Sequence, residues 1–123
     1  MTDDQSILGS VIVYRRIQPI YFDYDANGKP VISHGAFRTQ ALSVFRCDKV
    51  TELEMLNSGK PEDGLVQICI QTIRDADCIV EYDEPPTGHI CAYDRAAPGS
   101  RISKSSAAIM TQRVKWIKFP KKP

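Results

Sequence analysis

An α+β domain, with a mainly antiparallel sheet packed by a C-terminal amphipathic helix, is the fold that three features of this 123-residue sequence predict. Asn27-Gly28 separates two β-prone runs, "IYFDYD" and "VISHGAF", and Asn-Gly is the strongest short hairpin signal because both residues tolerate positive φ. "LVQICIQ" alternates: Val66, Ile68 and Ile70 point one way, Gln67, Cys69 and Gln71 the other, as in a strand with one face in a core. Ile102, Ile109, Met110, Val114, Trp116 and Ile117 share a broad apolar face on a 3.6-residue wheel. Strands and helices do not alternate regularly, which argues against a doubly wound parallel fold.

The elements follow in order. Residues 1–10 are expected to be a flexible N-terminus, and 11–119 a single domain. "VIVYRRI" is β-branched and reads as the first strand. The hairpin comes next. Pro30 lacks an amide donor, so the hairpin lies at a sheet edge or starts its second strand late. "ALSVFRCDKV" is another strand. Thr51 and Glu54 then have the spacing of a capping box, in which each side chain bonds the other's backbone amide. Ser58-Gly59-Lys60-Pro61 stops that helix. After "LVQICIQ", residues 72–77 suit one helical turn, "CIVEY" and "HICAY" are strands, and "DEPPTG" between them is a loop. The final helix is expected from about Ser100 to Lys118, with Pro120 ending it and residues 120–123 a loose basic tail.

Charge is unevenly distributed. Residues 1–95 carry 9 Lys and Arg against 15 acids, whereas residues 96–123 carry 7 Lys and Arg and no acid. Arg101, Lys104, Lys115 and Lys118 are the expected binding surface, for an acidic protein partner or for self-association with the acidic body. Nucleic acid would be held only weakly, because that polar face lacks interleaved aromatics. Arg113 falls inside the apolar sector, where a carboxylate such as Asp75, Asp77 or Glu81 is its expected partner. The acidic start "MTDDQSILGS" is unlike a signal peptide, and no run approaches the roughly 20 apolar residues of a membrane span. A cytoplasmic protein with no membrane contact is expected. Cys47, Cys69, Cys78 and Cys91 form no CxxC pair and read as reduced core residues.

Several stretches resemble chemical sites. Asp23, Asp25, Asn27 and Gly28 open like a calcium loop, but the position for its closing bidentate Glu is His34. A solvated hairpin tip is expected instead. His89, Cys91 and Tyr93 share one strand face, with Cys78 on a neighbouring strand, yet zinc needs four convergent ligands. No metal and no cofactor is expected. Ser43, His34 and His89 are pieces of a nucleophilic site that no spacing brings together. Phosphate-loop and dinucleotide patterns are absent.

The chain also resembles, over roughly residues 14–118, a family of small bacterial proteins of no established activity. The matching motifs are Arg15-Arg16-Ile17-Gln18-Pro19, Ser33-His34-Gly35-Ala36-Phe37-Arg38, Leu42-Ser43-Val44, and Asp83–Pro86 with His89, then a basic helix reaching Trp116. This chain departs from the pattern at Gln18, where the family has His, and at Thr87-Gly88. The resemblance implies the fold span and no activity. The expected function is a non-enzymatic binding or partner protein, one component of a two-gene bacterial module. The alternative is a small enzyme of ADP-ribosyltransferase-like type. For an enzyme the candidate residues are Arg16, Ser43 and His89, by an analogy in the order of parts that lacks a catalytic Glu in a recognisable motif.

Overall fold

The structure is a computed structural model and describes residues 1–119. Its elements are β1 (Ile12–Ile17), β2 (Phe22–Tyr24), β3 (Pro30–Ile32), β4 (Leu42–Arg46), α1 (Glu52–Asn57), β5 (Gly64–Cys69), α2 (Ile70–Asp75), β6 (Cys78–Tyr82), β7 (His89–Asp94), α3 (Lys104–Arg113) and β8 (Lys115–Lys118). Short 3-10 turns form at Pro19–Tyr21 and His34–Phe37. Six strands make one sheet in the order β6-β7-β4-β1-β5-β8, with every neighbouring pair antiparallel. β2 and β3 form a separate two-stranded ribbon. This is the α+β class expected from the sequence. No helix among the described residues is long and apolar enough to cross a membrane.

Period-2 alternation gives the sheet two different faces. On one, Val13, Ile17, Leu42, Val44, Val66, Ile68, Val80, Ile90 and Ala92 are buried beneath Phe37, Ile73, Ile102, Ala107 and Met110. Each such aliphatic side chain removed from water contributes about 1.5–3 kcal/mol, so this face dominates stability. On the other face α1 covers only one region, where Met55 packs with Tyr14, Leu65, Phe45 and Ile117. The β4–β7–β6 end of that face carries Ser43, His89, Cys91, Tyr93 and Glu81.

Three expectations are corrected. The last helix stops at Arg113, and Val114 turns extended (φ −78°, ψ 154°). Residues 115–118 are strand β8, pairing Trp116 with Val66 and Lys115 with Gln67. The outer edge of β5 offers amides and carbonyls that need partners, and an aromatic and β-branched segment supplies them. Residues 1–10 are packed rather than free. Ile7 is fully buried, the Asp4 amide donates to the Val80 carbonyl (2.8 Å), and the Asp3 carboxylate accepts from the Val80 amide and from Arg74. The segment thereby closes the outer edge of β6. "VISHGAF" is not one strand: β3 ends at Ile32, and Ala36 and Phe37 are buried on the 3-10 turn that follows.

The hairpin forms where expected, with Pro30 opening β3 and only Gly28 taking the left-handed region (φ +77°). Asp25 Oδ1 accepts from the Asn27 and Lys29 amides, and both Asp23 and Asp25 are exposed. The capping box at Thr51 and Glu54 is complete. Arg113 pairs with Asp75 at 3.3 Å, but at the surface and not within an apolar sector. The expected basic tail, residues 120–123, lies outside the described residues.

Candidate active site on the open sheet face

Antiparallel register decides which side chains meet. β4 and β7 set Ser43 opposite Cys91 and Phe45 opposite His89, while β1 sets Tyr14 opposite Phe45. Opposed residues point to one face, so Arg16, Ser43 and His89, the three candidates from the sequence, all project from the side that the core does not occupy. Ser43 and His89 are in contact: Oγ lies 2.6 Å from Nε2.

The other ring nitrogen fixes the proton. His89 Nδ1 is 2.8 Å from the Asp83 backbone carbonyl. A carbonyl only accepts, so Nδ1 must carry the hydrogen, and in the neutral ring Nε2 is left as an acceptor for the Ser43 hydroxyl. The Asp83 carboxylate lies 3.5 Å from the same Nδ1. The β6–β7 connection holds this geometry. Gly88 adopts φ +80°, its amide donates to Glu84 Oε2 (2.6 Å), and its carbonyl accepts from the Arg46 amide (2.9 Å). A Cβ at Gly88 would stand 2.7 Å from Lys49 Cβ, so the close approach requires glycine. Phe45 lies against the imidazole, centroids 4.8 Å apart, and the His89 side chain is only 13% exposed.

Ser43 is anchored from below. Arg15 points to the core side, where its guanidinium donates to the Ala36 carbonyl (2.8 and 3.1 Å) and the Ser43 carbonyl (3.0 Å). Burial brings its pKa down to about 10. The adjacent arginines thus divide: Arg15 ties the β4 backbone to the 3-10 turn, and Arg16 faces the site.

Ser43 opens on a cavity of about 100 Å³ lined also by Tyr14, Arg16, Gln18, Phe45 and Met55. Arg16 and Gln18 are shared with a second hollow of about 590 Å³, which Ser58, Gly59, Lys60 and Asp63 help to line. Arg16 donates to Ser58 Oγ. Arg16 and Gln18 therefore present N–H donors beside the serine, and in the adjoining hollow the cations Arg16 and Lys60 are balanced by Glu62 and Asp63.

Next to His89, the Cys91 thiol lies 3.6 Å from Asp83 Oδ2. Burial, then the Asp83 carboxylate, push that thiol up. Tyr93 hydrogen-bonds the thiol, and its phenol is pushed up to about 12 by burial and then by Cys91. Cys78, grouped with these residues on sequence grounds, is corrected: it faces the core, fully buried. The sequence reading missed Asp83, a loop residue whose backbone carbonyl does the orienting. Its traces in the sequence are the loop "DEPPTG" between two strands and the motif Asp83–Pro86 with His89, neither of which marks a backbone carbonyl.

The cations expected to form one binding face are divided. Arg101 donates to the Arg38 carbonyl and Lys104 begins α3, whereas Lys115 and Lys118 lie on the edge strand β8, with Lys118 Nζ on the Pro61 carbonyl (2.7 Å). They do not line one helix face. Lysines on an edge strand discourage further strand pairing. No family model matches this chain, and neither a curated protein nor a solved structure does, so its chemistry is read from this geometry.

Proposed function

We propose that this chain is a small enzyme that attacks ester-type acyl substrates through Ser43, with His89 as general base. One observation carries the reading: the Asp83 carbonyl holds the Nδ1 proton, which leaves Nε2 free to accept from Ser43 at 2.6 Å. As Oγ adds to the substrate carbonyl, the hydroxyl proton passes to Nε2. Collapse of the adduct breaks the bond to the leaving group, which takes that proton from Nε2–H. Water, deprotonated by the same nitrogen, then releases the acyl group and restores Ser43. Arg16 and Gln18 are the donors that line the cavity where negative charge develops on the carbonyl oxygen. A partner-binding role through one basic face has less support, because Arg101 and Lys104 stand apart from Lys115 and Lys118.

The test is covalent trapping with a fluorophosphonate, read by intact mass and peptide mapping. One adduct per chain is expected, on Ser43. It should be absent in Ser43→Ala and form about 100-fold more slowly or worse in His89→Gln, the usual scale of a general base. Folded protein that takes up no reagent on Ser43 would overturn the proposal.

A further inference from the structure

We propose that Asp83, His89 and Cys91 form a zinc site on the same sheet face, sharing His89 with Ser43. Their ligand atoms are of three different kinds and lie within 4.8 Å of one another. His89 Nδ1 and Asp83 Oδ2 are 3.5 Å apart, and Asp83 Oδ2 and Cys91 Sγ are 3.6 Å apart. A tetrahedral zinc with ordinary bond lengths needs ligand edges of about 3.4 Å for nitrogen to oxygen and about 3.6 Å for oxygen to sulfur. Two edges are therefore already close to the required length; the His89–Cys91 edge must adjust, and the Asp83 backbone carbonyl, now 2.8 Å from Nδ1, must swing aside to admit the ion. Imidazole, carboxylate and thiolate together match the borderline-soft preference of zinc, and not the all-oxygen preference of calcium or magnesium. Asp83 is the exposed member (64%) and His89 and Cys91 are mostly covered, so an ion would enter from the Asp83 side. The fourth position is left for water or for Glu81, which pairs with Cys91 across β6 and β7.

Occupancy changes what His89 can do; this consequence rests on the proposed serine chemistry, whereas the site itself does not. Zinc on Nδ1 displaces the proton now given to the Asp83 carbonyl. The neutral ring then carries its hydrogen on Nε2, which donates to Ser43 and no longer accepts from it. Cys91 loses its thiol proton to solvent, so one proton leaves per ion bound. Zinc is thus an off-switch for the serine.

The experiment titrates zinc against a chromophoric chelator, using the whole chain and its Cys91→Ser and Asp83→Asn variants, with folding checked by circular dichroism. One zinc per chain is expected, held about ten-fold or more weaker in each variant. Cobalt in place of zinc should give a thiolate charge-transfer band that Cys91→Ser abolishes. Asp83→Asn alters an exposed side chain and keeps the test valid if Cys91→Ser folds poorly. No stoichiometric zinc, or equal affinity in the folded variants, would overturn the site. Fluorophosphonate labelling is then repeated with and without zinc. Loss of labelling on loading supports the switch, and undiminished labelling of zinc-loaded protein refutes it. A protein that binds zinc through these residues but is never labelled keeps the metal site and rejects the serine chemistry.

Discussion

Replacing Asp3 by Ala should destabilise the fold by about 3 kcal/mol, although Asp3 belongs to a segment that reads as a flexible end. The Asp3 and Arg74 side chains are 12% and 14% exposed and lie 3.0 Å apart. Asp3 Oδ1 also accepts from the Val80 amide at 3.0 Å. Removing the acid leaves a nearly buried guanidinium with one remaining acceptor, the Asp4 carbonyl, and leaves the Val80 amide unpaired. Breaking a buried pair from one side costs about 3–5 kcal/mol, and residual solvent access puts this pair at the lower end. Urea unfolding at neutral pH measures the change, with an unchanged slope expected. Arg74→Met added to Asp3→Ala should recover part of the loss, with a coupling energy of about 1 kcal/mol or more. The pH dependence has a definite sign. Burial pushes the Asp3 carboxyl up, but the Val80 amide and Arg74 outweigh it and hold the pKa below the ordinary carboxylate value. The contribution is therefore complete above that ordinary value and is lost as pH falls through the depressed one. Wild-type and Asp3→Ala stabilities should converge in acid. A cost below about 0.5 kcal/mol at neutral pH, typical of a free surface residue, would refute the packed N-terminus.

Further outcomes concern the cysteines and the surface. Burial, then Asp94 and Asp77, push the Cys78 thiol up to about 12. Its folded pKa exceeds the unfolded one, so stability is full below about pH 9 and declines by about 1.4 kcal/mol per pH unit until about 12. Guanidinium unfolding across that window should show the decline, with a shallower slope in Cys78→Val; an unchanged slope would reject the assignment. Arg113 and Asp75 pair at 3.3 Å with side chains 53% and 46% exposed, so Arg113→Gln should shift stability by less than about 0.5 kcal/mol. A loss above about 1 kcal/mol would show that this pair is more than a surface contact.

Local signals were legible and register was not. Thr51 and Glu54 needed only each other, and the capping box formed as spaced. Val66 and Ile68 point into the core because a strand's own alternation decides it. The segment Val114–Ile117 suits a helical stripe as well as a strand, and only the unpaired edge of β5, some 50 residues earlier in the chain, selects the strand. Ile7 and Leu8 are adjacent apolar residues with no periodicity to tell them apart, yet Ile7 fills the core and Leu8 is exposed. Ser43 and His89 could be named as candidates, but their contact across 46 residues arises from the β4–β7 register. Cys78 and Cys91 look alike in sequence. On the sheet Cys78 opposes Asp94 while Cys91 opposes Glu81, which places the two thiols on opposite faces. The orienting group at His89 is a backbone carbonyl, a feature that no residue type encodes.

The tautomer of His89 tests the central claim most directly. The chain has two histidines, so a His34→Ala variant leaves His89 as the only imidazole in a long-range proton–nitrogen NMR spectrum. At mildly alkaline pH in metal-free buffer, the expected spectrum has the proton on Nδ1 and an unprotonated Nε2 facing Ser43. A folded protein with the proton on Nε2 would contradict it, because a nitrogen that already donates cannot take the proton of Ser43.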